Sequence, residues 1–242
     1  MPLPCTIGVR RAATCPYMLV LAGAMGMLAA SAHAARPMVT DDARIVDPKA
    51  CQMESWVRRN HGDTEYWSVP ACNFTGNLEL SMGGARTYQE GLGTHTTDQL
   101  IQGKTVFKPL ETDGWGWGLV MGTNGHPGAG REWYGYVPVS ASFAGDMVVL
   151  HTNFGRQHDP AAQRDNATWG LGSETRLGDG SWLIAETFGQ QHGKGMFQVG
   201  MRHWIVPDHV QVDVTYGNRW NGSVETRWIS VGLRLLSAPF LP

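Results

Sequence analysis

Four apolar residues at alternate positions, Val210, Val212, Val214 and Tyr216, with Gln211, Asp213 and Thr215 between them, constrain this chain more than any other stretch. A period of two makes a strand with one apolar and one polar face. Upstream, Phe197, Val199, Met201 and Ile205 oppose Gln198, Gly200 and Arg202, and the two runs meet at the turn pair Pro207-Asp208. Downstream of Gly217 to Gly222, the residues Ile229, Val231, Leu233 and Leu235 again hold one parity. Three consecutive strands therefore share an apolar face, and what that face meets, a protein core or lipid, decides the fold.

The same reading along the whole chain gives twelve runs: 51–59, 64–72, 77–87, 97–110, 115–123, 132–143, 147–155, 167–177, 181–188, 196–206, 209–216 and 223–236. The 31 glycines and the scarcity of helix-favouring runs agree with an all-β chain. Connections after odd-numbered runs, Asn60–Asp63, Tyr88–Thr96, Asn124–Arg131, Arg156–Asn166, Gly189–Gly195 and Gly217–Gly222, are longer as a set than those after even-numbered runs. The latter are Asn73–Gly76, Glu111–Gly114, Ala144–Asp146, Gly178–Gly180 and Pro207–Asp208. A soluble sandwich has no reason to sort its loops by end, whereas an outer-membrane barrel has short turns on one side and longer loops on the other. An even strand number, both termini at the short-turn end and closure without edges all favour a single up-and-down antiparallel transmembrane β-barrel of about twelve strands.

Ahead of the barrel, Arg10 and Arg11 precede an apolar run from Tyr17 to Ala30, and Ala32-His33-Ala34 supplies small residues for cleavage after Ala34. Residues 1–34 read as a secretory signal peptide, 35–50 as an N-terminal periplasmic segment and 51–242 as the barrel. Cys5 and Cys15 leave with the signal. Cys51 and Cys72 remain, equidistant from the turn at His61-Gly62, so a hairpin centred there sets them opposite each other where a disulfide closes. The formal net charge of −2 gives no reason to expect nucleic acid.

The two parities carry different chemistry. Leu78, Leu80 and Met82, then Trp115, Trp117, Leu119 and Met121, then Val148, Leu150 and Phe154 are assigned outward. Glu54, Arg58, Glu79, Gln102, Lys104, Glu174, Arg176, Arg202 and Asp213 fall on the lumen-facing parity, where charges of both signs pair. Trp182, Ile184, Glu186 and Phe188 share one parity and resist assignment. The ten tryptophans suit interfacial girdles. Gly114, Gly116 and Gly118 leave the inner face of their strand nearly bare, for curvature or for an occupant, with curvature favoured.

The stretch from Arg36-Pro37-Met38-Val39-Thr40-Asp41-Asp42 to Arg44, and the end from Trp228-Ile229-Ser230 to Pro239-Phe240-Leu241-Pro242, resemble the outer-membrane family called "MetA-pathway of phenol degradation". The resemblance covers most of the mature chain. It implies an outer-membrane barrel that passes small organic molecules, aromatic or hydrophobic ones included, with outer-membrane lipid and a small organic solute as its partners. It brings no catalytic motif. The chain ends on Leu241-Pro242 beyond Phe240, whereas many such barrels end on an aromatic residue.

Two other classes stay open. One is a structural or adhesive barrel without transport, whose sign is a sealed interior. The other is an outer-membrane lipid-modifying enzyme built from His151 or His203 with Ser140, Ser173 or Ser230; no Gly-x-Ser-x-Gly elbow is present, and the expectation is a non-enzyme. No cofactor and no metal site are expected. His61, His95, His126, His158 and His192 fall one in each of the first five long connections, where a chance spread over polar loops competes with a proton-sensitive or metal-sensitive ring.

Overall fold

In a computed structural model that describes residues 38–91, 95–126 and 130–242, alternation becomes a closed antiparallel barrel. The leader 1–34, its cleavage site, Arg36 and Pro37 lie outside the described residues. The strands are β1 (Cys51–Arg59), β2 (Asp63–Asn73), β3 (Leu78–Gln89), β4 (His95–Lys108), β5 (Trp115–His126) and β6 (Gly130–Phe143). They continue as β7 (Val148–Asp159), β8 (Arg164–Gly178), β9 (Ser181–Gln190), β10 (Met196–Val206), β11 (Val210–Arg219) and β12 (Trp228–Leu236). Each strand pairs with its sequence neighbours, and β1 closes on β12 from Gln52↔Leu236 to Arg59↔Ile229.

Polarity is inverted relative to a protein folded in water. Met82, Met121 and Phe154 are 66%, 64% and 65% exposed on the outside. The largest fully buried side chains include Arg202, Arg234, His151, Gln211 and Glu174, all inside the barrel. A continuous apolar exterior around a polar interior is stable only where lipid replaces water on the outside.

Cys51 and Cys72 are register partners of β1 and β2, and they form a disulfide with Cα atoms 4.1 Å apart. The inner glycines of β5 serve curvature. A Cβ on Gly116 would lie 2.6 Å from the Lys108 carbonyl oxygen and one on Gly118 2.4 Å from that of Thr105, so backbone of β4 occupies the space. The pairing of β4 with β5 shifts register between Val106 and Lys108, where the wall bends.

The connections differ from expectation. His95, His126 and His158 belong to β4, β5 and β7, and only Pro160 to Gln163 separate β7 from β8. Those hairpins continue beyond the alternating region, because a ladder of backbone hydrogen bonds needs no apolar face once it leaves the bilayer. Gln163, in the left-handed region, lies in the short turn between β7 and β8. At the last connection the chain leaves β11 and forms a short 3-10 turn, Val224–Thr226, capped by the Ser223 hydroxyl, before β12 begins at Trp228.

A barrel interior crossed by its own N-terminal segment

Residues 38–50 form no strand; Val39, Thr40, Ala43 and Val46 hydrogen-bond to side chains on the inner face, and Lys49 and Ala50 bond backbone to backbone with Asn73 at the end of β2. The Val39 and Thr40 N–H groups donate to the two carboxylate oxygens of Glu186 on β9, at 2.8 and 2.7 Å. Ala43 N–H donates to Ser140 Oγ on β6 at 2.8 Å, and Val46 N–H to Glu79 Oε2 on β3 at 2.8 Å. Asn73 Nδ2 on β2 donates to the Val46 carbonyl at 2.8 Å. The segment therefore crosses from one wall to the opposite one before entering β1.

Charge holds it at the centre. Lys104 Nζ on β4 lies 2.7 Å from Asp41 Oδ1 and 3.1 Å from Asp42 Oδ1, and Tyr136 on β6 donates its hydroxyl to Asp41 Oδ2 at 3.0 Å. Asp42 and Ala43 are fully buried. The passage needs glycine on β8, since a Cβ on Gly170 would stand 2.7 Å from Thr40 Oγ1 and 3.3 Å from its Cβ.

Around the segment runs a buried polar network. Arg202 on β10 forks onto Glu174 on β8, Nη1 to Oε1 at 2.6 Å and Nη2 to Oε2 at 2.7 Å. His151 on β7 stands between this pair and the segment, its Nδ1 2.8 Å from Ser140 Oγ and its Nε2 3.9 Å from Glu174 Oε1. On β12, Arg234 Nε donates to Gln52 Oε1 at 2.8 Å and lies 3.7 Å from Glu54 Oε1.

Ser140, His151 and Glu174 have the residue types of a hydrolytic triad. Their environment is structural: all three are buried, and the serine oxygen already receives the Ala43 N–H. A reacting carbonyl needs room beside the nucleophile, and the segment fills it. His203 pairs with Ser181 at 2.8 Å on the outer wall, and Ser173 donates to the Ala185 carbonyl at 3.3 Å. Ser230 is buried on the inner face of β12.

Of the nine residues assigned to the lumen-facing parity, Glu79, Lys104, Glu174, Arg202 and Asp213 are buried inside the barrel. Glu54, Arg58, Gln102 and Arg176 line less crowded parts: Gln102 accepts the Tyr134 hydroxyl at 2.9 Å, and Arg176 lies 6.0 Å from the Trp182 ring. The three of the five connection histidines whose side chains are described stand in different surroundings. His158 pairs with Asp165 at 2.8 Å, His192 contacts Asn166 Oδ1 at 3.1 Å and His61 is exposed. No group of three or more potential metal ligands occurs among the described residues.

Toward the end that carries the β1–β2 connection, the interior is hollow. A cavity of about 300 Å³ lies against β1, β2 and β12, and one of about 620 Å³ runs along β5 to β9; Val39 and Tyr136 border both. Aromatic rings line them. Trp56 and Trp67, register partners on β1 and β2, stack with centroids 5.1 Å apart and planes 5° from parallel. Arg58 lies 4.5 Å over Trp228, whose Nε1 donates to Gln198 Oε1 at 3.0 Å. Gln198 Nε2 in turn donates to Glu186 at 3.0 Å, which links this wall to the segment.

Girdle reasoning missed these inner tryptophans. Trp115, Trp117, Trp133 and Trp169 do face outward, but Trp56, Trp67, Trp182, Trp204 and Trp228 take the inner face. The signal was parity: Trp56 alternates in step with Glu54 and Arg58, Trp204 with Arg202. The ambiguous run in β9 follows the same rule, with Ile184, Glu186 and Phe188 buried inside and Leu183 facing out. Glu186 holds the segment, and Phe188 packs 6.5 Å from Trp228, so an occupied lumen accepts apolar inner residues.

A family model described as "Uncharacterised conserved protein UCP029691" matches residues 23–236, in place of the phenol-degradation grouping. No curated protein matches the chain. Among solved structures, the KdgM porin in complex with disordered oligogalacturonate superposes with a TM-score of 0.60 at 9% identity, over 76% of this chain and 98% of that one. The NanC porin gives 0.56 at 12% identity, over 78% of this chain and 100% of that one. The COG4313 outer membrane channel from Pseudomonas putida F1 gives 0.56 at 10%, over 81% and 98%. At such identities the likeness is one of fold.

Proposed function

Because the chain belongs to the UCP029691 family, whose description assigns no activity, we propose from its own geometry that it is an outer-membrane barrel for passive passage of small organic solutes. The observation that carries this is the hollow, polar and aromatic-lined interior, narrowed by residues of the chain's own N-terminal segment. A barrel serving only as a wall needs no such cavity. The apolar exterior supports residence in a bilayer, and the reading includes export by the leader 1–34 to the outer membrane. The resemblance to the phenol-degradation grouping puts small aromatic molecules among the solutes to assay.

A sealed structural barrel is the second reading. It is favoured by the depth at which the segment is held, with Thr40, Asp42, Ala43 and Val46 at 1% exposure or less. Liposome swelling and planar-bilayer conductance separate the two. Passage by the mature chain, rising several-fold when residues 38–46 are deleted, supports transport. A silent mature chain beside a conducting deletion variant supports the sealed barrel.

A further inference from the structure

We propose that a groove of about 470 Å³ on the outer face of the barrel, bordered by Met121, Trp133 and Arg156, docks a lipid with an anionic phosphate headgroup. One acyl chain lies in the groove and the phosphate sits on Arg156. This rests on the barrel's place in a bilayer and not on passage of solutes through the lumen. Gly103 on β4, Met121 on β5, Gly135 on β6 and Arg156 on β7 are successive register partners, so they form one row on the face that carries exposed Ile101 and Trp133. Two of the four have no side chain, and packing does not require that. A Cβ on Gly103 would come no closer than 3.6 Å to a neighbouring atom, and one on Gly135 no closer than 3.4 Å. On the inner face of the same wall, by contrast, a Cβ on Gly122 would collide with Tyr134 and one on Gly155 with the Gly135 backbone. What glycine leaves on the outer face is open groove, apolar along Leu80, Ile101 and Met121.

Arg156 supplies the charge. It is exposed, two residues beyond outward-facing Phe154, and its register partners are Gly135 on β6 and Ala167 on β8, which leave the guanidinium uncovered. Among the described residues no carboxylate pairs with it. Asp165, the acid that borders the groove, is taken up by His158 at 2.8 Å. Arg131 adds a second exposed cation on the same face, nearer the end of the strands, where a Cβ on its register partner Gly125 would lie 3.6 Å from its Cζ.

Depth selects a lipid headgroup. Trp133 is the register partner of His158 and Trp169 that of Phe154, so outward indoles stand on both neighbouring strands, two residues to either side of Arg156. Indole marks the boundary between headgroup and hydrocarbon, and a lipid-facing arginine is tolerated there where one at mid-depth is not. The lipid phosphate lies at that same level, and a guanidinium takes it with two parallel hydrogen bonds. Other occupants fit less well. A free phosphate would leave the apolar groove unfilled, and a neutral lipid would leave the arginine without a counter-charge. A second copy of the chain, docked here about a two-fold axis, would bring the same unpaired arginines from both sides.

The test is native mass spectrometry of the mature protein, released from detergent after titration with phosphatidylglycerol, whose phosphate is anionic, or phosphatidylcholine, whose headgroup is zwitterionic. Retention of one phosphatidylglycerol per barrel is expected under activation that strips phosphatidylcholine. Arg156→Gln is expected to lower that preference about fivefold. Gly135→Leu, for which the wall has room, is expected to lower retention of phosphatidylglycerol by filling the groove. Heat-modifiable migration in SDS reports whether each variant is folded, and millimolar inorganic phosphate is expected not to displace the lipid. Equal retention of the two lipids by folded wild type overturns the proposal, as does a preference unchanged in either folded variant. Displacement by inorganic phosphate, or a dimer in place of bound lipid, overturns it too. A wild type that stays soluble and monomeric without detergent removes the bilayer reading, whereas a folded, detergent-bound barrel without lipid preference removes the site alone.

Discussion

At the residue scale, the interior is organised by charges that cannot stand alone. Arg202 and Glu174 are each about 1% exposed, and an ion pair so deep gains little net free energy, because desolvation offsets most of the attraction. Removing one partner is another matter, for it leaves the other charged and buried. Arg202→Met is expected to destabilise the barrel by about 3–5 kcal/mol, while Arg202→Met with Glu174→Met recovers most of the loss. Urea unfolding in lipid vesicles, followed by tryptophan fluorescence, measures both. Equal losses in the single and double variants would mean that the pair acts through packing alone.

At the element scale, the N-terminal segment is a guest of the barrel and not a part of its ladder. Closure runs through β1 and β12, and the segment's bonds from Val39 to Val46 go to side chains. Removing it therefore leaves every strand pairing intact. A gentler displacement comes from Gly170, where a side chain would collide with Thr40. Gly170→Val is expected to keep heat-modifiable folding and to raise conductance in the same direction as deletion of 38–46, by less. An unchanged conductance would show that the segment does not narrow the path. The bonds from Thr40 through Glu186 and Gln198 to Trp228 also join the segment to the aromatic wall, so displacement should alter Trp228 fluorescence.

At the scale of the whole molecule, closure makes the fold robust and the disulfide an accessory. Cys51–Cys72 ties the start of β1 to the end of β2, at the point where the segment passes into the wall. A loop of this length constrains the unfolded chain by about 3 kcal/mol, and both strands are already held by the ladder. Reductant is expected to lower the temperature at which the folded form disappears from an SDS gel without abolishing folding. A peptide map showing two free thiols in the mature protein would remove the premise. Freed of detergent and lipid, the protein should aggregate, since side chains such as Phe154 and Met82 would meet water. A soluble monomer under those conditions would overturn the membrane barrel.

The sequence by itself determined most of this fold: alternation gave the strands and all their faces but that of β9, loop lengths and an even strand number gave closure, and equal offsets from His61-Gly62 gave the register that joins Cys51 to Cys72. Alternation carries that information because lipid and lumen differ in polarity, and a strand between them must write that difference into every second residue. Where the difference ends, so does the signal, which is why the hairpin stems carrying His95, His126 and His158 read as loops. Inside the barrel no single strand records its neighbour across the lumen. Asp41 and Asp42 meet Lys104, and Ala43 meets Ser140, only after the barrel has closed around the segment, while Arg202 meets Glu174 across the intervening β9. Those pairings depend on distances between residues far apart in the chain, and assembly of the wall is what brings them within hydrogen-bonding reach.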